Sequence, residues 1–205
     1  MKTAIVNGQE IPGEAVQFEL DRLVRFYMSH GMTAEEIKKS LSTLMDRALD
    51  QAIGAKLLLD RSRELDIPVT AADIDAEVAK VVAQIGGEED YRKALEAQKI
   101  TEADFRRELE KGAKVNKLVE QACSGVADPT EEEVAAFFEA HKADFVKAGA
   151  QTIVDAHDQI KDLLRHAARG KAMDAFVAEL RSAATIEYKD VPHAHGHECG
   201  CGHHH

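Results

Sequence analysis

Apolar residues recur every three to four positions over most of the chain, which is the spacing that places them on one face of an α-helix. The clearest example begins at Thr33, after which one apolar face continues for about eight turns to Asp66-Ile67-Pro68 and predicts a single long helix. Other helices are predicted from Phe18 to Tyr27 before Gly31, Ile74 to Ile85 before Gly86-Gly87, Tyr91 to Gln98, Phe105 to Val119, Val134 to Phe138, and Thr152 to Leu180 with Gly170 as a weak point. We expect at least six helices, with the one from Thr33 to Asp66 the longest or nearly so.

A threonine followed three residues later by an acidic residue opens five of these segments. Such a pair forms a capping box, in which the threonine hydroxyl accepts from a free amide of the first turn and the carboxylate accepts from the threonine amide. The five pairs are Thr33–Glu36, Thr70–Asp73, Thr101–Asp104, Thr130–Glu133 and Thr152–Asp155. The acids also suit the positive end of the helix dipole, so they are better explained as helix starts than as catalytic groups.

Two short stretches alternate in the way typical of β-strands. Thr3 to Val6 is followed by Asn7-Gly8 and by Gln9 to Ile11, and Thr185 to Tyr188 alternates near the other end. Strands at the two ends would tie down the chain termini, and they could pair with each other. The predicted fold class is therefore all-α, mainly helical, with a short terminal β-strand pair.

Composition and charge exclude several functions. The 205 residues are 44% hydrophobic and 31% charged, which suits one domain or a domain with an appendage. A net charge of −11 argues against nucleic acid as a partner, because phosphate binding needs a basic surface. No segment approaches the roughly 20 apolar residues of a membrane span. The first apolar run is shorter than the about 7–15 residues of a signal-peptide core, so we expect a cytoplasmic protein without a membrane partner.

Several segments, taken in their order, carry a resemblance to a known family. They are Ile5-Val6-Asn7-Gly8-Gln9-Glu10-Ile11-Pro12, Leu65-Asp66-Ile67-Pro68-Val69-Thr70, Ile100 to Leu109, Pro129 to Val134, Phe137 to Phe145, and Phe176 to Tyr188. This order resembles the SurA/PrsA/NifM group of parvulin-type chaperones. The resemblance implies a SurA N-terminal-like or trigger-factor-like helical module that binds unfolded or immature polypeptides.

The chain departs from that group after Phe145. In the family, this point leads into the parvulin domain, which is the prolyl isomerase proper, and the chain then returns as a helix and a strand. Here, residues 146–151 lead directly to Thr152, and nothing between them resembles the parvulin strands or histidines. We expect one helical domain over 1–190, made of 1–145 and a returning 152–190, and no catalytic residues.

The last residues form a candidate metal site. After Pro192, thirteen residues contain six histidines, two cysteines and one glutamate. Imidazole and thiolate suit Ni²⁺, Zn²⁺ or copper, and the spacing with glycines is typical of a flexible chelator over 191–205. The predicted ligands are His193, His195, His197, Cys199, Cys201, His203, His204 and His205. The final three histidines taken alone also resemble part of a purification tag.

Few other residues suggest chemistry. His30, His141, His157 and His166 have no nucleophile or acid partner visible in the sequence, so surface or capping roles are favoured, and Cys123 is predicted to be a packed residue at a helix end. One low-specificity candidate for client binding lies where the first two helices meet. It consists of Phe26, Tyr27, Met28 and Met32, although packing between those helices explains the same residues.

Three functional hypotheses remain open at this level. The first is a non-catalytic, chaperone-like protein whose helices hold a polypeptide client, including an immature metalloprotein, while the tail binds metal. The second is a metal storage or delivery protein in which the helices are only a docking scaffold. The third, an active prolyl isomerase, is disfavoured because the catalytic domain is missing. Homodimer formation is also left open.

Overall fold

The computed structural model describes residues 2–190. In this range the chain forms eight helices and three strands. In chain order they are β1 (Lys2–Val6), β2 (Gln9–Glu10), α1 (Gly13–Ser29), α2 (Ala34–Lys39), α3 (Leu41–Glu64), α4 (Ala71–Ile85), α5 (Glu88–Gln98), α6 (Glu102–Ala122), α7 (Glu131–Lys147), α8 (Ile153–Ala183) and β3 (Ile186–Asp190). The mainly helical fold with terminal strands is confirmed. The predicted metal ligands between His193 and His205 lie outside the described residues.

The described residues divide into two compact units, one formed by 2–57 with 183–190 and the other by Leu58–Ser182. Each unit has buried apolar residues of its own. The expectation of a single domain over 1–190 stays a prediction.

The first unit contains a small antiparallel sheet of strand order β2-β1-β3. Asn7 and Gly8 connect β1 to β2 with φ angles of 49° and 77°, which is the left-handed pair that a two-residue hairpin turn requires. β1 pairs with β3 from Lys2 opposite Asp190 to Val6 opposite Ile186, so the predicted pairing of the two ends is confirmed. Ala4 and Val6 are completely buried, which anchors the sheet to the core of this unit.

The single long helix predicted after Thr33 is wrong in one respect, because it is interrupted at Ser40. Ser40 has φ −94° and ψ 3°, and it ends α2 while its carbonyl accepts from the Leu44 amide in α3. The apolar residues Ile37 and Leu44 on either side are both buried, so the hydrophobic spacing carries no sign of the break. α3 has 24 residues and is second in length to α8, which has 31.

Three apolar clusters form the core of the second unit. The first joins α4, α5 and α6 through Ile74, Val78 and Tyr91, and the second brings Leu118 of α6 against Met173, Phe176 and Leu180 of α8. The third joins α7 to the first half of α8 and contains Val134, Phe138, Phe145, Ala156 and Ile160. α8 continues through Gly170 without interruption, so the predicted weak point there is wrong.

All five predicted capping boxes are present. The Thr33 amide donates to Glu36 Oε2 at 2.8 Å, and the equivalent bonds are made at Thr70, Thr101, Thr130 and Thr152. These contacts satisfy amides that the helix itself leaves free. Each of these five helix starts is therefore fixed by residues within one turn of sequence.

The connection between α7 and α8 is a short, closed turn. After α7 ends at Lys147, Gly149 adopts a φ of +100°, and the Ala150 amide donates to the Phe145 carbonyl at 2.9 Å. The Thr152 cap then begins α8, and Phe145 is buried in the α7–α8 cluster. No parvulin domain lies within the described residues, as the sequence predicted.

Candidate functional site

α1 presents an unusual amount of apolar surface to solvent. Phe18, Phe26 and Met28 are 62%, 53% and 51% exposed. The side of the helix that packs inward contains Val16, Leu20 and the acidic Glu19, whose carboxylate pairs with Arg22 at 2.9 Å. Burying a carboxylate while exposing two phenylalanines is the reverse of the usual preference. The outer side of α1 is therefore a candidate contact surface.

Phe18, Arg22 and Phe26 follow one another at intervals of four residues, so they share one side of the helix. The two phenylalanines are separated by about 12 Å along the axis. Phe26 is held by neighbours at the end of the helix, since its ring packs edge-on to Tyr27 with centroids 5.4 Å apart and lies 4.2 Å from the His30 ring. Its exposed face is thus kept in a fixed position.

An open groove of about 610 Å³ runs beside these residues, between α1 and α3. We call it the α1–α3 groove. It is lined by Arg22, Leu23, Phe26, Tyr27, Arg47, Asp50 and Gln51. One wall is thus mostly apolar and aromatic, whereas the other is polar.

Side-chain hydrogen bonds join the two walls of the α1–α3 groove. Arg47 Nη1 donates to the Tyr27 hydroxyl at 2.5 Å, and Arg22 Nη2 donates to Gln51 Oε1 at 3.3 Å. The two guanidinium groups have further N–H groups beyond these bonds. A groove that combines apolar side chains with N–H donors, from Arg22 on α1 and Arg47 on α3, can hold apolar side chains while donating to the carbonyl groups of an extended polypeptide.

The four predicted client-binding residues differ in exposure. Phe26 and Tyr27 line the α1–α3 groove, and Met28 is exposed at the end of α1. Tyr27, within α1, and Met32, just after its end, are both half-buried. Packing between helices therefore accounts for much of the surface of Tyr27 and Met32, but for less of Phe26 and Met28.

Part of this surface lies outside the residues predicted to bind clients. The apolar pattern places Phe18 only on the predicted first helix, and it gives no role to Arg22, Arg47 or Gln51. The interval of four residues between Phe18, Arg22 and Phe26 was the available signal for the α1 residues. Nothing in the sequence pairs Arg47 with Tyr27, because twenty residues and a helix break separate them.

Three of the four histidines in or beside the helices have structural partners. His141 Nδ1 lies 3.0 Å from the Phe137 carbonyl oxygen at a bend in α7, and His30 Nδ1 lies 2.7 Å from the Phe26 carbonyl oxygen. His157 lies between two carboxylates, and His166 is exposed. Cys123 is buried, with its sulfur 3.8 Å from the Arg169 carbonyl oxygen.

Four of the capping carboxylates, Glu36, Asp73, Asp104 and Asp155, have lowered pKa values. Contacts with the Thr33 amide and hydroxyl lower the pKa of Glu36, and those of Thr152 lower the pKa of Asp155. The pKa of Asp73 falls to about 2, chiefly because Lys117 donates to it and also because the Thr70 amide and hydroxyl do. These pKa shifts arise from helix capping.

Among residues 2–190, no cluster of three histidine, cysteine or acidic side chains could hold a metal ion.

The sequence of residues 1–119 assigns the chain to a protein family. A family model described as the SurA-like N-terminal domain matches residues 1–119, which include β1, β2, α1 and the α1–α3 groove. The chain belongs to this SurA-like N-terminal domain family. No curated protein matches this SurA-like chain.

A solved structure shows how far the fold of this SurA-like protein extends. It comes from work on the virulence factor PEB4 and the periplasmic protein Cj1289, two structurally related SurA-like chaperones of Campylobacter jejuni. The two chains are 15% identical and superpose with a TM-score of 0.58, over 92% of this chain and 99% of that chain. The likeness of fold thus reaches past residue 119. Across residues 2–190, the helices of this SurA-like protein are too short or too polar to cross a membrane.

Proposed function

We propose that this protein is a chaperone-like, polypeptide-binding protein that holds unfolded or immature chains on α1 and in the α1–α3 groove. The exposure of Phe18 and Phe26 on one side of α1 is the observation that carries the proposal. The family supports it, because a SurA-like N-terminal domain suggests a chaperone-type function. The SurA-like chaperones named with the solved structure are consistent with it.

The chemistry of the surface suits weak and adaptable binding. Covering the exposed part of each phenylalanine contributes on the order of 1 kcal/mol, so several contacts together give a client affinity that still allows release. Met28 adds a flexible and polarizable side chain that adapts to different apolar partners. Arg22 and Arg47 supply donors for backbone carbonyls, which every client has.

Suppression of aggregation of a chemically unfolded model protein tests this proposal. The variant Phe18→Ser/Phe26→Ser removes two exposed rings from α1 and should lose most of the protective effect. The matched control is Val154→Ser/Leu163→Ser, which removes two side chains that are 81% and 47% exposed on α8. Equal protection by both double variants, each with an unchanged melting temperature, would show that α1 is not the binding surface.

We also propose that the residues after Pro192 bind a transition metal, and the chemistry of the donors supports this. His193, His195, His197, Cys199 and Cys201 offer imidazole and thiolate groups, joined by His203, His204 and His205. Such a set favours Ni²⁺, Zn²⁺ or copper over Mg²⁺ and Ca²⁺, which prefer oxygen. Because the ligands must lose protons, the affinity should fall as the pH drops through the histidine range near about 6.5.

Calorimetric titration of metal into three proteins tests this second proposal. The proteins are the intact chain, the chain ending at Pro192 and the chain ending at Gly202. We expect the first and third to bind and the second not to. Equal binding by the chain ending at Pro192 would place the site elsewhere, whereas loss of binding in both shortened chains would assign the metal to His203–His205.

The metal ligands also support a second candidate function, which is metal storage or delivery with the helices as a docking scaffold. The two candidates predict different behaviour of the chain that ends at Pro192. A chaperone keeps its protection of the unfolded protein without these ligands, and we propose this outcome, with immature metalloproteins among the clients. A metal carrier would show no protection, with or without them.

We propose the cytoplasm as the compartment, because the thiols of Cys199 and Cys201 must stay reduced in order to bind metal. Cell fractionation with a compartment marker tests this location. Recovery of the protein in an oxidising compartment, with these two cysteines in a disulfide, would contradict it.

A further inference from the structure

The sheet of the first unit has one long open edge. β1 lies in the middle, with β2 of two residues on one side and β3 of five residues on the other. Among the described residues, β3 pairs with β1 alone. An edge strand of this length carries unpaired N–H and C=O groups that can pair with another strand.

The hydrogen bonds at the start of β3 show which groups are unpaired. The Asn7 amide donates to the Thr185 carbonyl at 2.8 Å, so the backbone groups of Thr185 face β1. Backbone groups alternate in direction along an antiparallel strand. Those of Glu187 and Lys189 therefore also face β1, whereas those of Ile186, Tyr188 and Asp190 point to the open edge.

Two copies of β3 are complementary in charge when they pair in antiparallel order with Tyr188 at the centre. In an antiparallel pair of two β3 strands centred on that residue, Tyr188 of each copy exchanges backbone hydrogen bonds with Tyr188 of the other. Ile186 pairs in the same manner with Asp190, so all outward-facing backbone groups find partners. Glu187 then lies directly opposite Lys189, once on each side of the centre. These are the closely spaced pairs without backbone bonds, in which opposite charges attract.

Tyr188 itself indicates that the sheet is incompletely covered. It lies opposite Ala4, so both side chains are on the same face of the sheet, yet Ala4 is fully buried and Tyr188 is 57% exposed. Beside it is an open pocket of about 390 Å³, which Tyr188 and Leu49 line together with the charged residues Lys2, Asp46, Asp50 and Lys189. A strand added to β3 would bring a second tyrosine against the first and would cover its exposed ring.

We propose that β3 is a dimerisation strand, on which a second copy of this chain adds its own β3 to form one continuous sheet. The pattern of charges selects this partner. Glu187 and Lys189 oppose pairing with a strand of unmatched charge, but the same two residues attract each other when the partner is the identical strand in antiparallel order. Because one strand from each copy is a small interface, dimer formation should be weak and dependent on concentration.

Charge reversal at the two positions tests the pairing. Glu187→Lys places lysine opposite lysine, and Lys189→Glu places glutamate opposite glutamate. The dissociation constant of the dimer should therefore be about tenfold higher or more for each single variant than for the original protein. The double variant Glu187→Lys/Lys189→Glu restores opposite charges and should return to the original dissociation constant. Mixing the two single variants should produce a dimer that neither forms alone.

Sedimentation velocity over a series of concentrations measures the original protein, the three variants and the mixture, with a chelator present so that metal bound after Pro192 cannot join the copies. Lys171→Glu on α8 is the matched control, because it changes the net charge as Lys189→Glu does at an exposed position away from β3. It should dimerise like the original protein. An original protein that stays monomeric to its solubility limit overturns the proposal, as does a double variant or a mixture that fails to recover the dimer.

Discussion

The Nε2 atom of His157 in α8 lies 2.9 Å from Oε2 of Glu131 in the first turn of α7, and this contact joins the starts of the two helices. The other ring nitrogen, Nδ1, lies 3.0 Å from Oδ1 of Asp158. Contacts with Asp158 and then Glu131 raise the pKa of His157, and the contact with His157 lowers the pKa of Glu131. The charged pair is therefore favoured in the folded protein.

The direction of these shifts predicts how stability depends on pH. The contribution of His157 is complete below about pH 6.5, its ordinary pKa, and is lost as the pH rises through the raised value in the folded protein. His157→Gln should lower the melting temperature in mildly acidic buffer and have little effect in alkaline buffer. His166→Gln, an exposed change on the same helix, is the control, and a His157→Gln effect that does not vary with pH would contradict the prediction.

The contacts of Asp73 lead to a second prediction, which concerns the pKa of its carboxyl group. Lys117 of α6 donates to Asp73 Oδ2 at 2.8 Å, while the Thr70 amide donates to the same oxygen at 2.9 Å. Lys117→Met should raise the pKa of Asp73 from about 2 toward 3.8 without reaching it, because the Thr70 contacts remain. Stabilisation by Asp73 is present above that ordinary value and is lost as the pH falls toward 2.

Carbon-13 NMR of the aspartate carboxyl groups measures this pKa directly. Lys80→Met is the matched control, since Lys80 also lies on the α4–α6 surface but pairs with Glu77 instead of Asp73. An Asp73 carboxyl that titrates identically in the original protein and in Lys117→Met would show that the ion pair does not form in solution.

The α7–α8 cluster should contribute strongly to the stability of the second unit. Ile160 is completely buried there, and Ile160→Ala should lower the free energy of unfolding by about 2–5 kcal/mol through lost burial and the cavity that remains. Leu163→Ala, three residues later and 47% exposed, should cost far less. Denaturant unfolding of both variants measures the difference, and equal losses would mean that the two helices are not packed as described.

We expect no prolyl isomerase activity from this chain, because α7 leads to α8 through a closed turn at Gly149 and no parvulin domain lies within the described residues. Uncatalysed isomerisation takes tens to hundreds of seconds, so a proline-peptide assay has a slow background. Acceleration that persists after rigorous removal of host isomerases would contradict this expectation. A host isomerase added to the same assay supplies the positive control.

Features that depend on neighbouring residues could be predicted from the sequence, whereas features that depend on packing could not. A threonine and an acid three residues apart form their cap within one helical turn, so Thr70 with Asp73 was predictable and was found. The break at Ser40 leaves the apolar spacing in phase, and the bend at His141 involves a ring stacked on Phe137 at 4.2 Å. Neither has a local sequence signal.

The candidate site also has one feature that the sequence predicts and others that depend on packing. Helical spacing puts Phe18 and Phe26 on one side of α1, but it does not say whether that side is covered. Their exposure follows from the inward packing of Val16 and Leu20, and the polar wall follows from a contact between Tyr27 and Arg47 in different helices. Both are properties of the assembled unit.

The pairing of β1 with β3 has a consequence for the order in which the chain can fold during synthesis. Asn7 contacts Thr185 across 178 positions, whereas the second unit is one uninterrupted stretch from Leu58 to Ser182. Every residue of the second unit has therefore been translated before β3 exists, and until then β1 has β2 as its only strand partner among the described residues. Contacts that close so long a loop form slowly. β1 is thus translated long before β3, the strand that completes its sheet.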